Sequence, residues 1–147
     1  MNKRLYAFRG AICTLDTEEE IIENVKKIFT SIVKENGISE DDIVSVQFTT
    51  TPDITELNPA TALRKAQVAP PHAALFCSQE PVFKGSLPQV IRIMIFAYVA
   101  TESNSQPSTE PSVQTRASSD SQKFIPKSIY MNGAESLRPD LSETNGD

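Results

Sequence analysis

The run Val90-Ile91-Arg92-Ile93-Met94-Ile95-Phe96-Ala97-Tyr98-Val99 decides how this chain is read. It is apolar and rich in β-branched and aromatic residues, and it is too short to cross a membrane, so it reads as an interior strand. Its one charge is Arg92. A guanidinium cannot shed its proton, since its pKa lies above about 12. On a buried strand it must meet an anion, a carbonyl or water, because an unpaired buried charge is costly. Either the protein supplies an internal acidic partner or it holds an anionic ligand there. The plainer alternative is a structural ion pair or a side chain that snorkels to the surface.

Elements on either side complete the fold class. Leu5 to Ile12 predicts a first strand with Arg9-Gly10 inside it. Asp16-Thr17 offers an N-cap, and Thr17-x-x-Glu20 fits a capping box. Ile21, Ile22, Val25, Ile28, Phe29, Ile32 and Val33 then recur at helical spacing up to Gly37, a C-terminal cap. Ile43 to Thr50 alternates, with Val44, Val46 and Phe48 expected on one face. Asn58-Pro59 opens a short helix carrying Arg64. Pro70-Pro71 precedes a strand at Ala73 to Cys77, and Phe124 to Tyr130 regains strand character. Roughly five strands interleaved with helices indicate an α/β or α+β sheet with helices on one face.

The 147 residues suit a single domain with a real core. Composition breaks at Thr101: residues 101–123 are polar and expected to form a flexible loop, and residues 137–147 a mobile C-terminal tail. Net charge is -5 with no long basic run, which argues against nucleic acid and anionic membranes as partners. The first residues lack the apolar core of an export signal, so a reducing cytoplasm with free Cys13 and Cys77 is expected. A lone His72 and no Cys-x-x-Cys pair predict no metal site.

Nothing resembles a catalytic triad, a phosphate-binding loop or a dinucleotide fingerprint. Cys77 has no nearby histidine to activate it. Arginines are the better-represented group: Arg9 in the first strand, Arg64 on the short helix, Arg92 in the core strand and Arg138 near the end. Each could be a solvated or capping side chain. Together they suggest an anion site for carboxylates or phosphates, with Glu80 and Cys77 as acceptors for a ligand hydroxyl.

The chain resembles the AroH-class chorismate mutases, small trimeric enzymes that convert chorismate to prephenate. The resemblance rests on Phe8-Arg9-Gly10-Ala11, Asp16 to Ile21, Thr50-Thr51-Pro52-Asp53, Pro59-Ala60 with Arg64, Cys77-Ser78-Gln79-Glu80, Ile91-Arg92-Ile93-Met94 and Tyr130-x-x-Gly133-Ala134-x-x-Leu137-Arg138-Pro139-Asp140-Leu141. These segments occur in family order and span Arg4 to Ser142 except for the polar stretch. The fold implied is α+β, a chorismate mutase II-like mixed sheet with helices outside, three subunits forming a pseudo-α/β barrel with sites between them.

The resemblance further implies a pericyclic rearrangement without cofactor, nucleophile or obligatory proton transfer. Arg92 would contact the ether oxygen. Arg9 and Tyr130 would hold a carboxylate, and Glu80 with the main chain or thiol of Cys77 the ring hydroxyl. Arg64 with Asn58, Ala60 and Thr61 would come from the neighbouring subunit, while Leu137 and Arg138 would help close the site. This chain has Asn58 where Bacillus-type members have phenylalanine and Thr61 where they have lysine. It also departs at residues 65–71 and has a longer stretch at 101–123. A non-catalytic trimer that binds a small carboxylate is the alternative. A trimeric imine/enamine deaminase ranks below both, because its C-terminal arginine motif is not visible.

Overall fold

A computed structural model describes residues 2–101 and 123–141. The polar stretch lies almost wholly outside the described residues, as does the end of the C-terminal tail from 142 onward. The elements are β1 (Lys3–Cys13), α1 (Glu18–Glu35), β2 (Ile43–Thr50), α2 (Pro59–Lys65), β3 (Ala74–Gln79), β4 (Val90–Ala100) and β5 (Ile129–Met131), with short 3-10 turns at Glu40–Asp42, Ala134–Leu137 and Pro139–Leu141. The strands make one mixed sheet in the order β3-β2-β4-β1-β5. β4 is central and antiparallel to both neighbours, while β3 runs parallel to β2 and β5 parallel to β1. The architecture is the expected α+β arrangement, with both helices against one face.

That face holds the core. Ile91, Ile93, Ile95 and Ala97 of β4 are buried there with Phe8 and Ile12 of β1 and Val46 and Phe48 of β2. Ile21, Val25, Ile28, Phe29 and Ile32 of α1 and Ala62 and Leu63 of α2 cover them. The helix signals form as the residues dictate. Thr17 caps α1, its hydroxyl accepting from the Glu20 N–H at 3.3 Å. Asp16 is used elsewhere, accepting from the Thr55 and Glu56 N–H groups at 2.9 and 3.0 Å. Gly37, at φ 61°, ends the helix with Gly37 N–H to Lys34 and Ile38 N–H to Val33, the paired bonds of a left-handed C-terminal cap.

Two expectations are corrected. Val44 does not share the core face with Val46 and Phe48: it is 45% exposed, and Ile43 is buried in its place. The pairing of β2 with β4 slips between Ile43 and Ser45, and the extra residue of that bulge reverses the alternation. The last strand starts at Ile129 rather than Phe124. Pro126 has no N–H for a ladder, and the Lys127 backbone pairs with the Asn36 side chain at 2.7 and 3.0 Å instead. Phe124 packs edge-on against Tyr6, centroids 4.9 Å apart, and against Phe8.

Gly10 is where β1, β5 and α1 meet. A Cβ there would lie 2.7 Å from the Ile129 carbonyl oxygen and 2.8 Å from Ile32 Cδ1. The oxygen belongs to backbone and cannot rotate away, so β5 must move. Gly10→Ala should therefore cost about 1–3 kcal/mol by overpacking, read as a lower thermal midpoint; an unchanged midpoint would show that β5 yields freely.

Candidate active site

The second face of the sheet carries the polar groups. Pairing puts Ser78, Thr49, Arg92, Ala11 and Tyr130 in one row across all five strands. Arg9 lies in the next row, opposite Met94. Arg9, Arg92, Tyr130, Thr49 and Ser78 line a cleft of about 290 Å³, with Phe76 and Met94 as apolar wall. A second cleft, of about 280 Å³, lies beyond Arg92 under the loop that follows Glu80, so Arg92 borders both.

The Arg92 side chain is 44% exposed, because the interior strand is covered on one face only. It has the internal acidic partner that the sequence allowed: Nε donates to Glu80 Oε2 at 3.0 Å. A partly exposed pair of this kind stabilises a fold by only about 0–1 kcal/mol. Its larger effect is to aim the guanidinium. Glu80 Oε1 and Thr49 Oγ1 are buried without a hydrogen-bond partner among the described residues. A buried acceptor left unpaired costs about 1–3 kcal/mol, so an incoming donor gains from meeting it.

The 3-10 turns at the C-terminal end close one side. Leu137 packs with Tyr130, Ala11, Val90 and Ala134. Arg138 grips Asp140 through two bonds, Nε to Oδ1 at 2.9 Å and Nη2 to Oδ2 at 2.7 Å. Those bonds, with a further one to Tyr130, raise the Arg138 pKa. The Arg138 bond holds Asp140 below the usual carboxylate range, and the charge of Arg9 adds to the effect. Arg9 and Arg138 thus both act on the Asp140 carboxylate, and Tyr130 bonds to Arg138.

The remaining expected residues lie elsewhere. Ala60, Thr61 and Arg64 belong to α2 and Asn58 caps it, in the helical layer on the opposite face. Asn58 Oδ1 is spent capping that helix, accepting from the Ala60 N–H at 2.8 Å. Cys77 pairs with Phe48 and turns its thiol to the core side, where burial raises its pKa. Its thiol is therefore not beside Arg92; Ser78, the next residue, faces that cleft. The sequence assigns no role to Ser78, Thr49 or Asp140, although Ser78 and Asp140 lie inside the family motifs. Alternation marks Thr49 as facing away from Phe48, but only the pairing register puts it beside Arg92.

Among the described residues no group of three or more His, Cys, Asp or Glu side chains is placed to hold a metal ion. The arrangement is made of cations, a phenol, hydroxyls and two separate carboxylates, Glu80 on Arg92 and Asp140 on Arg138, suited to gripping an anionic ligand and stabilising negative charge.

Comparison with known proteins agrees with this chemistry. Residues 5–110 match the family model of chorismate mutase type I. The chorismate mutase AroH of Bacillus subtilis (strain 168) is 30% identical over 129 residues, spanning 88% of this chain and 85% of that protein. The chorismate mutase AroH of Thermus thermophilus is 31% identical over 135 residues, spanning 90% and 93%. The solved structure of a chorismate mutase from Clostridium thermocellum superposes with a TM-score of 0.64 at 31% identity, covering 90% of this chain and 99% of that one. The matches take in the strands that carry Arg9 and Arg92, and the chain belongs to the chorismate mutase type I family.

Proposed function

We propose that Arg92, aimed by Glu80, stabilises the breaking ether bond of chorismate in a site completed by a neighbouring copy of the chain. The protein is a chorismate mutase, an isomerase that converts chorismate to prephenate. The rearrangement is intramolecular: one C–O bond breaks as one C–C bond forms, and no atom is gained or lost. It needs a held conformer and stabilised charge, with no protein nucleophile.

The observation that carries the assignment is the Arg92–Glu80 pair and its spare acceptor. A guanidinium has five N–H donors, so giving Nε to Glu80 leaves donors for the ether oxygen and a carboxylate. Glu80 Oε1, lacking a partner among the described residues, suits the ring hydroxyl. Arg9 and Tyr130 hold a substrate carboxylate, and Leu137 and Arg138 close over it. The Asp140 carboxylate beside Arg9 and Arg138 supports a carboxylate-binding role for this corner.

The main chain of Cys77 joins Glu80 at the ring hydroxyl, and the second half of the site is Arg64 with Asn58, Ala60 and Thr61, contributed by an adjacent subunit of a homotrimer. Their position on the far side of the sheet from Arg92 supports this division. So does the uncovered sheet face, where Leu5, Phe76 and Tyr98 are 45%, 62% and 43% exposed. The whole chain acts as one domain in the cytoplasm, in aromatic amino-acid biosynthesis, without nucleic acid or membrane partners. No described helix is long and apolar enough to cross a membrane.

Loss of chorismate absorbance tests the chemistry. Arg92→Ala should lower kcat by about 10²–10³ with a smaller change in KM, the signature of a transition-state donor. A folded wild-type protein that binds chorismate without turning it over would favour the carboxylate-binding regulator. The shared site predicts complementation: Arg64→Ala and Arg92→Ala, each inactive, should recover activity when unfolded together and refolded. About a quarter of the sites in a random mixed trimer would carry both arginines. No recovery, with mixed trimers shown by mass, would put both arginines in one subunit's site.

A further inference from the structure

We propose that Thr51 and Asp53 are positioning residues for the rearrangement, because the turn they form anchors the start of the strand that carries Arg92, next to the Thr50 carbonyl that holds Glu80. This rests on the assignment of that pair to catalysis. Arg92 is the third residue of β4, close to the end where the strand enters the sheet. The residue before the strand, Gln89, has φ 53°, a left-handed conformation that a residue with a side chain seldom adopts. Both oxygens of Asp53 accept from its N–H, at 3.1 and 2.9 Å. The next N–H, of Val90, donates to Thr51 Oγ1 at 2.9 Å, and the Thr51 N–H returns a bond to the Val90 carbonyl at 3.1 Å. Thr51 Oγ1 donates in turn to Asp53 Oδ1 at 2.5 Å. On the other side, the Glu80 N–H donates to the Thr50 carbonyl at 2.9 Å.

Residues 50–53 therefore hold the backbone of both members of the pair, from the floor of the second cleft that Glu80 and Arg92 share. The bonds do not merely keep β4 in the sheet. β4 is paired along its length with β1 and β2, so losing one contact at its end leaves the strand in place. What changes is the aim of a side chain three residues on from Gln89. Misplacement of a reacting contact by about 1 Å can cost about 10²-fold in rate. Thr51 is buried and Asp53 exposed, so Asp53 can be changed at little risk to folding.

The test is a double-mutant cycle on chorismate turnover with Asp53→Ala, Arg92→Ala and the pair combined, beside Thr51→Val and Thr51→Ser. Asp53→Ala and Thr51→Val should lower kcat by roughly tenfold to a hundredfold with KM changed less than about threefold. Thr51→Ser, which keeps the hydroxyl, should stay near wild type. In the Arg92→Ala background, Asp53→Ala should add less than about threefold, because it acts through Arg92. Wild-type kcat in folded Asp53→Ala, or an undiminished loss in the Arg92→Ala background, overturns the proposal. If Thr51→Val does not fold, the Asp53 cycle decides alone. Failure of the underlying assignment looks different: Arg92→Ala itself would then turn over normally.

Discussion

The pairing of β4 on both edges constrains everything else in this molecule. Its residues alternate between two environments, and each hydrogen-bonded neighbour must alternate in step. Ile91, Ile93, Ile95 and Ala97 are sealed beneath the helices, so Arg92, Met94, Phe96 and Tyr98 must face the other way. A slip of one residue would bury the guanidinium among isoleucines and expose those isoleucines to water. The cost of both errors fixes the register, and the register puts Thr49, Ala11 and Tyr130 alongside Arg92.

The site follows from that register with little added chemistry. Strong polar groups are collected on the face that the helices leave open, where a charged side chain needs no burial. Glu80 reaches Arg92 from the end of β3 and takes one donor. The C-terminal turns bring Arg138, paired with Asp140, to Tyr130. Among the described residues no element supplies an activated nucleophile, and the half-buried thiol of Cys77 is held in the opposite sense, with its pKa raised by burial. A pericyclic reaction asks for positioned cations and shape, which is what the proposed assignment draws from these groups.

Much of this was legible in the residues. The Thr17 cap, the α1 stripe, the Gly37 stop and the Asn58-Pro59 start are local signals, and each formed where read. So did the strands flanking them, to within a residue or two. The failures came where non-local contacts override local preference. Val44 has the apolar character of a core residue, but a bulge against β4 turns it outward. Phe124 to Lys127 has strand-like residues, but Pro126 and the Asn36 amide divert the backbone. Cys77 was grouped with Glu80 by proximity in sequence, whereas alternation along β3 points it to the other face.

The sequence by itself determined the elements, the core stripe and the inventory of cations, because helix caps and periodicity act over a few residues. It also carried the family resemblance, since motif order and spacing are properties of the chain. The tertiary structure alone decided which of those cations meet. Glu80 and Arg92 are twelve residues apart, and Ala11 and Tyr130 lie on strands from opposite ends of the chain. Their proximity depends on which strand edges pair and in what register. That is a global balance of burying apolar faces and satisfying backbone hydrogen bonds, which no local window of residues contains.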